Sequence, residues 1–334
     1  MIKDKFFPEL ENRFLELIKA LESKKIAVLG HMRPDGDCIG SQVAIAKFLR
    51  KYANCADVIC INKDAVPFVC QEYAKTETFY LADDFKDTSY EILTVDCASY
   101  KRTSDNINEL FPQAIASIDH HLSNNAYGKF NVIYPEAAST TELLTGLFLD
   151  GGFEIDAEIA SALYLGLVTD TQQFTTNSTT ERTLKVAAEL IARGANCTEI
   201  SINLYQQEKF GKMQLLSRYL DRLELSFDGK VCGGYLLNKD FEETSTNRKT
   251  DCEGLVDYAR SVNGVEIAYL IEELSDGTKA SLRSKSPIYN VNEIAVHLEG
   301  GGHACAAGCT LKGVDVEEFK AKLIGEIEAK LKQI

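Results

Sequence analysis

The chain has 334 residues, enough for two domains with cores of their own, and its 45% hydrophobic content excludes a disordered polypeptide. Lysine and arginine total 36 against 50 aspartates and glutamates, a net charge of −14 that argues against a basic track for long nucleic acid. No apolar run reaches the roughly 18 residues of a membrane span, the opening MIKDKFFPELENRF has acidic residues where a signal peptide needs an apolar core, and the ten cysteines form no CxxC pair, so a cytoplasmic protein with free thiols and no membrane contact is expected.

KIAVLG (Lys25 to Gly30) is a short apolar run of buried-strand type. It leads into GHMRPDGDCIGS, which gathers His31, Asp35 and Asp37 within seven residues. Ile39, Val43, Ala46 and Leu49 then recur at helical spacing. ADVICI, EILTVDCA and AIASID read as further buried strands. STTELLTGLFLDGG reads as a helix with Ser or Thr at its start and Gly at its end, and DAEIASALYLGLVTDTQQF as one that Asp156 can cap. Alternating strands and helices predict an α/β domain over residues 1–192, a largely parallel sheet flanked by helices. Residues 193–225 turn helical and charged and read as a connector. Residues 226–334 predict a smaller α/β domain, with GKVCGGYLL, VEIAYLIEEL and TKASLRS as strands. Its closing helix carries Val316, Phe319, Leu323, Ile327 and Leu331.

In open α/β sheets, ligands bind outside the carboxyl ends of the strands. His31, Asp35 and Asp37 follow one such strand, Asp96 ends a second, and Asp119, His120 and His121 end a third. Asp170 follows an apolar helical run. Taken singly, a DxD is solvated surface and Asp96 or Asp170 is a helix cap. Together they require four coincidences at element ends, and they use three of the five histidines in the chain. Carboxylates mixed with imidazoles suit Mn²⁺ or Mg²⁺, and so many aspartates would repel one another without cations. Two divalent ions with an acid shared between them answer that repulsion. In the second domain, EGGGHACAAG predicts a glycine loop in which Gly301 and Gly302 let the backbone approach a ligand and His303 projects. Arg283 lies on a predicted strand, and His297 reads as a structural helix residue.

The order His31-x3-Asp35-x-Asp37, Asp96, Asp119-His120-His121, Asp170, followed by SLRSKS and GGGHACAAG, resembles the DHH phosphoesterase superfamily. Within it the pattern is similar to the branch of nanoRNases and pAp phosphatases. The resemblance runs from about Gly30 to Gly308 and implies a DHH catalytic domain, a helical connector and a DHH-associated substrate-binding domain. It implies one ion on His31, Asp35 and Asp96 and another on Asp37, Asp96, His120 and Asp170. Asp119 would orient its neighbours, and His121 would face the substrate phosphate or leaving group. Arg283, Gly301, Gly302 and His303 would grip the nucleotide. The implied activity is two-metal hydrolysis, with Mn²⁺ or alternatively Mg²⁺, of short oligoribonucleotides or adenosine 3′,5′-bisphosphate (pAp) to nucleoside monophosphates. A phosphodiesterase for the linear dinucleotide pApA or for cyclic dinucleotides is the alternative. A non-catalytic nucleotide sensor is a third reading, disfavoured because every ligand is kept. Cys38, where a small residue such as Ala is common, and Cys305 and Cys309 depart from the pattern without removing a ligand. Short oligonucleotides or linear dinucleotides, rather than long duplexes, are the expected partners, and a homodimer is compatible with the branch.

Overall fold

The computed structural model describes residues 5–334. They form two compact units that divide between Gln207 and Glu208. The first begins with α1 (Glu11–Ala20), β1 (Lys25–Leu29), α2 (Gly36–Tyr52), β2 (Asp57–Asn62), the short α3 (Gln71–Ala74) and β3 (Phe79–Leu81). It continues with β4 (Tyr90–Val95), α4 (Asp105–Leu110), β5 (Ala116–Asp119) and β6 (Phe130–Ile133). Four helices follow: α5 (Thr140–Asp150), α6 (Ala157–Asp170), α7 (Glu181–Ala192) and α8 (Cys197–Tyr205).

The six strands make one parallel sheet in the order β3-β2-β1-β4-β5-β6. Helices cover both faces, so the central strands read as continuous apolar runs rather than alternating ones. In β1, Ile26 and Val28 enter the larger core with residues of α1, α2, α5 and α6, while Ala27 and Leu29 enter a smaller one with Ile107 of α4. The chain builds outward from β1 to β2 and β3, then returns to the other side of β1 with β4. This reversal opens a crevice at the carboxyl ends of β1 and β4, where open α/β sheets bind ligands.

Helix α2 starts where Asp35 caps it, its Oδ1 accepting the backbone N–H groups of Asp37 and Cys38 at 3.1 Å each. Asp37 therefore sits in the first helical turn, one step beyond the turn that its sequence position suggested. Gly40 in the Ile-Gly-Ser run has a packing reason: a Cβ there would meet the Ala162 carbonyl oxygen of α6 at 2.3 Å. Only glycine lets the two helix backbones approach this closely.

The stretch 193–225 holds α8 in the first unit and, in the second, α9 (Phe210–Leu220) and the first residues of β7 (Glu224–Ser226). The second unit continues with β8 (Val231–Leu236), α10 (Asn238–Thr244), α11 (Arg248–Asp251), α12 (Leu255–Arg260) and β9 (Ile267–Leu274). Then come β10 (Gly277–Ser284), α13 (Val291–His297), β11 (Gly301–His303), β12 (Ala306–Lys312) and α14 (Val316–Leu331). Its sheet runs β11-β12-β10-β9-β8-β7 and is antiparallel except for the parallel pair β8–β9. One face packs on α13 and α14 and the other on α9 and α12. The expected glycine loop is instead half of a hairpin: Gly301, Gly302 and His303 are the edge strand β11, paired with β12. Among the described residues no helix is long and apolar enough to cross a membrane, and all ten cysteines are free.

Candidate metal centre

Five carboxylates and three imidazoles meet at the carboxyl edge of the first sheet. His31 lies two residues past β1, and Asp96 immediately past β4, at the two sides of the crevice. The His31 Nε2 is 3.5 Å from Asp96 Oδ2 and 3.9 Å from Asp35 Oδ2. His120 follows β5, and its Nε2 is 3.6 Å from Asp96 Oδ1 and 3.2 Å from Asp170 Oδ2, at the last residue of α6. Three sets of ligand atoms lie within 4.8 Å of one another: His31, Cys38 and Asp96; Asp96, His120 and His121; and Asp37, His120 and Asp170. Asp96 is thus common to two sets. The third set joins residues from three separate elements, as their positions at element ends predicted.

Each group is held by an outer partner. His31 Nδ1 lies 2.8 Å from the Met32 carbonyl and His120 Nδ1 3.2 Å from that of Ala137. A proton on each Nδ1 leaves each Nε2 lone pair free for a cation, the arrangement metal-ligating histidines use. Asp37 is fully buried, and its carboxylate accepts the backbone N–H groups of Thr140 at 2.7 Å and Thr141 at 2.9 Å, with the Thr141 hydroxyl at 2.7 Å. These are first-turn N–H groups of α5, whose amino-terminal dipole favours an anion. The Thr140 hydroxyl donates to Asp96 at 3.1 Å. Buried Asp119 accepts from the backbone of His120 and His121, from the His121 ring at 2.8 Å and from Asn124 at 2.7 Å. It points into the chain, bracing the two histidines.

The electrostatics show why this cluster calls for cations. Burial pushes the Asp37 carboxyl up. Burial, and then the charges of Asp37, Asp35, Asp170 and Asp119, push Asp96 well above the usual carboxylate range. Asp170 is pushed up to about 6, first by burial and then by Asp37. Burial alone would lower His120, but its bond to Asp170 and the nearby Asp37 charge raise it to about 9. For Asp119 burial is likewise outweighed, and the bonds from His121 and Asn124 hold it below its usual range. Like charges confined in low dielectric are relieved either by protons or by a divalent ion. The oxygen and imidazole donors fit a hard or borderline divalent ion.

Sequence reasoning missed Thr140, Thr141 and Asn124. STTE read only as a helix start, although a helix amino terminus is itself an anion site and could have been matched to a carboxylate. It also treated Cys38 as a bystander, whereas its sulfur stands with His31 and Asp96. In the second unit, Arg283 of β10 and His303 of β11 are both register partners of Ala306, from opposite sides of β12. Directly paired residues share a face, so the two side chains stand on one face about 10 Å apart, two strand spacings. Gly301 pairs with Gly308 beside them, leaving the floor between them low. Arg283 is half-buried and His303 exposed.

A parallel α/β sheet with this ligand set at its switch point defines the class, a metal-dependent hydrolase. Residues 25–167 match the DHH family, N-terminal domain, and residues 230–333 match the DHHA1 domain; the chain belongs to the DHH family of phosphoesterases. It is 28% identical to the bifunctional oligoribonuclease and PAP phosphatase NrnA of Thermus thermophilus, over 95% of this chain and 93% of that protein. It is 26% identical to the protein of the same name from Bacillus subtilis, over 95% and 98%. Among solved structures, an exopolyphosphatase-related protein from Bacteroides fragilis superposes with a TM-score of 0.82 at 24% identity, covering 96% of this chain and 97% of that one. That last likeness is one of fold.

Proposed function

We propose that this chain hydrolyses short oligoribonucleotides and pAp to nucleoside monophosphates. The observation that carries the reading is the convergence of His31, Asp35, Asp37, Asp96, His120 and Asp170 on one sheet edge, and the named activities of the two bacterial relatives support it. We assign one cation to His31, Asp35 and Asp96 and a second to Asp37, Asp96, His120 and Asp170, with Mn²⁺ as the first candidate and Mg²⁺ as the second. Bound there, divalent ions supply Lewis acidity, making water a nucleophile near neutral pH and drawing charge from phosphoryl oxygens.

The chain's own residues do the rest. The Met32 and Ala137 carbonyls fix the rings of His31 and His120, and the amino terminus of α5 fixes Asp37, so the ligands are set before substrate arrives. Asp119 holds His121 by Nδ1, which directs its Nε2 toward the substrate phosphate or leaving oxygen. Arg283 and His303 offer charged and polar donors for a second phosphate of the nucleotide, and Gly301 and Gly302 let it approach the backbone. A reducing compartment, the cytoplasm, suits ten free thiols.

The test is a substrate panel with Mn²⁺: pAp, pApA, a five-nucleotide RNA and a long RNA. Release of mononucleotide from pAp and the five-mer, with the long RNA spared, is the expected result. Turnover of pApA alone would move the assignment to a dinucleotide phosphodiesterase. Tight nucleotide binding without turnover of any member would make it a sensor and end the catalytic reading.

A further inference from the structure

We infer that the groove between the turn Phe68–Cys70 and helix α8 is a nucleobase subsite, in which Phe68 stacks on a base of the substrate. This rests on the phosphoesterase reading above and extends it from the phosphates to the base. The groove has a volume of about 410 Å³, and its walls include Phe68, Gln71, Glu72, Glu199, Asn203 and Gln207. All belong to the first unit.

Four observations point to a base rather than a phosphate or an apolar ligand. Phe68 is 78% exposed and makes no ring contact with another aromatic among the described residues, an expensive way to leave a phenyl ring unless something covers it. No lysine or arginine lines the groove, so an anion has no partner there. The surrounding amides and carboxylates are what the edge of a neutral, donor-bearing ring requires. Gln207 makes no side-chain hydrogen bond among the described residues, and Asn203 uses only its Nδ2, which donates to the Tyr73 hydroxyl at 3.1 Å. Glu72 is engaged by Lys75, and Glu199 accepts from Asn196 at 2.9 Å, each leaving acceptor capacity.

The walls of the groove belong to segments that connect to elements of the metal edge. The turn Phe68–Cys70 lies on the segment leaving the carboxyl end of β2, the strand next to β1. Helix α8, which supplies Glu199 and Asn203 to the other wall, is tied farther along to α6, the Tyr205 hydroxyl donating to the Val168 carbonyl at 3.4 Å, two residues before Asp170. Stacking on an aromatic ring tolerates any base, because every base presents a π-face. Such a subsite therefore suits an enzyme that degrades mixed short sequences.

The chain contains no tryptophan, so Phe68→Trp places a single tryptophan at the proposed platform, excited selectively over the fourteen tyrosines at the red edge of the absorption band. Titration with AMP is expected to quench it saturably, while ribose 5-phosphate leaves it unchanged. Phe68→Ala is expected to raise KM for pApA about five- to a hundredfold with kcat retained, and to leave an abasic dinucleotide of the same phosphate content unaffected. The ring is exposed, so both variants should keep the wild-type urea midpoint, which serves as the folding control. Absence of quenching by AMP, or an unchanged KM for pApA in Phe68→Ala, overturns the subsite. If the wild-type protein hydrolyses no nucleotide, the phosphoesterase reading falls and the fluorescence titration alone decides the subsite.

Discussion

Asp96 adopts φ +51°, a region that non-glycine residues enter rarely and that concentrates at functional sites. Its backbone N–H is held by the Ile118 carbonyl at 3.0 Å, so β4 stays tied to β5 one residue past its end while the side chain turns into the crevice. Replacing Asp96 with Ala removes the group common to two ligand sets. We expect the variant to fold, to bind fewer equivalents of Mn²⁺ and to lose more activity than the ~10–100-fold that loss of an outer partner costs. Metal counting by mass spectrometry alongside turnover of pAp checks this, and full activity with metal bound would refute the shared-ligand assignment. Arg283→Ala and His303→Ala should instead keep metal occupancy and raise KM roughly ten- to a hundredfold, the loss of one hydrogen bond to a charged group. Wild-type KM in both would remove the second unit from substrate binding.

Among the elements, long apolar runs were the most legible. β1, β2, β4 and β5 fall where their runs of Ile, Val, Leu and Ala predicted, because strands buried on both faces have no polar alternation to obscure them. Edge strands β3 and β11 were not legible. Three residues long and exposed, they are defined by their pairing partners rather than by their own side chains. The Asp and His residues of the cluster could be picked out because such side chains at element ends are chemically conspicuous. Thr140 and Thr141 act largely through backbone N–H groups, which no side-chain pattern reports. The same holds for Asp240 of α10, unremarked in the sequence and fully buried in the structure. Its carboxylate takes Arg222 at 2.5 and 3.0 Å, Arg218 at 3.2 Å and the Leu237 N–H at 2.7 Å, clamping α9 to α10. Burial would raise this acid, but the two arginines and the N–H hold it at about 2. A depressed acid stabilises the fold above its unfolded pKa of 3.8, and that contribution is lost as pH falls from about 4 through about 2. Asp240→Ala should cost about 3 kcal/mol at pH 7, the low end for a broken buried pair, since both arginines reach solvent. Urea denaturation of variant and wild type at pH 7, 4 and 3 should show the difference shrinking as pH falls. A gap that stays constant would remove the clamp as its source.

For the whole molecule the net charge of −14 bears on substrate length. Such a charge is expected to disfavour a long polyanion, whereas a short one would need only the proposed cations and a few basic side chains. We expect kcat/KM to fall steeply between RNAs of two and about twenty-five nucleotides. Salt separates the causes. If repulsion excluded long RNA, moderate salt would partly restore its cleavage, because screening is strong beyond ~8–10 Å. If the walls of the site exclude it, salt changes little. We expect the second outcome, since the charge is spread over the whole chain and is already screened at physiological ionic strength. A flat length profile at both salts would point to a general exonuclease.

The close approach of α2 and α6 at Gly40 makes the distance between two helices a gauge for the proposed cation site. One helix begins at Asp35 and Asp37 and the other ends at Asp170, so any wedge between them is read out at their tips. A single methyl suffices: in Gly40→Ala the new Cβ, 2.3 Å from the Ala162 carbonyl oxygen, needs about an ångström of clearance. Misplacement on that scale can cost on the order of a hundredfold in function. The variant is expected to lose Mn²⁺ affinity far more than a surface substitution of equal stability cost, measured by calorimetric titration against urea midpoints. The relation also runs in reverse. An ion that grips both tips will resist separation of the helices, so Mn²⁺ should slow amide hydrogen exchange along Leu163–Val168, nearly two turns of backbone that carry none of the proposed ligands.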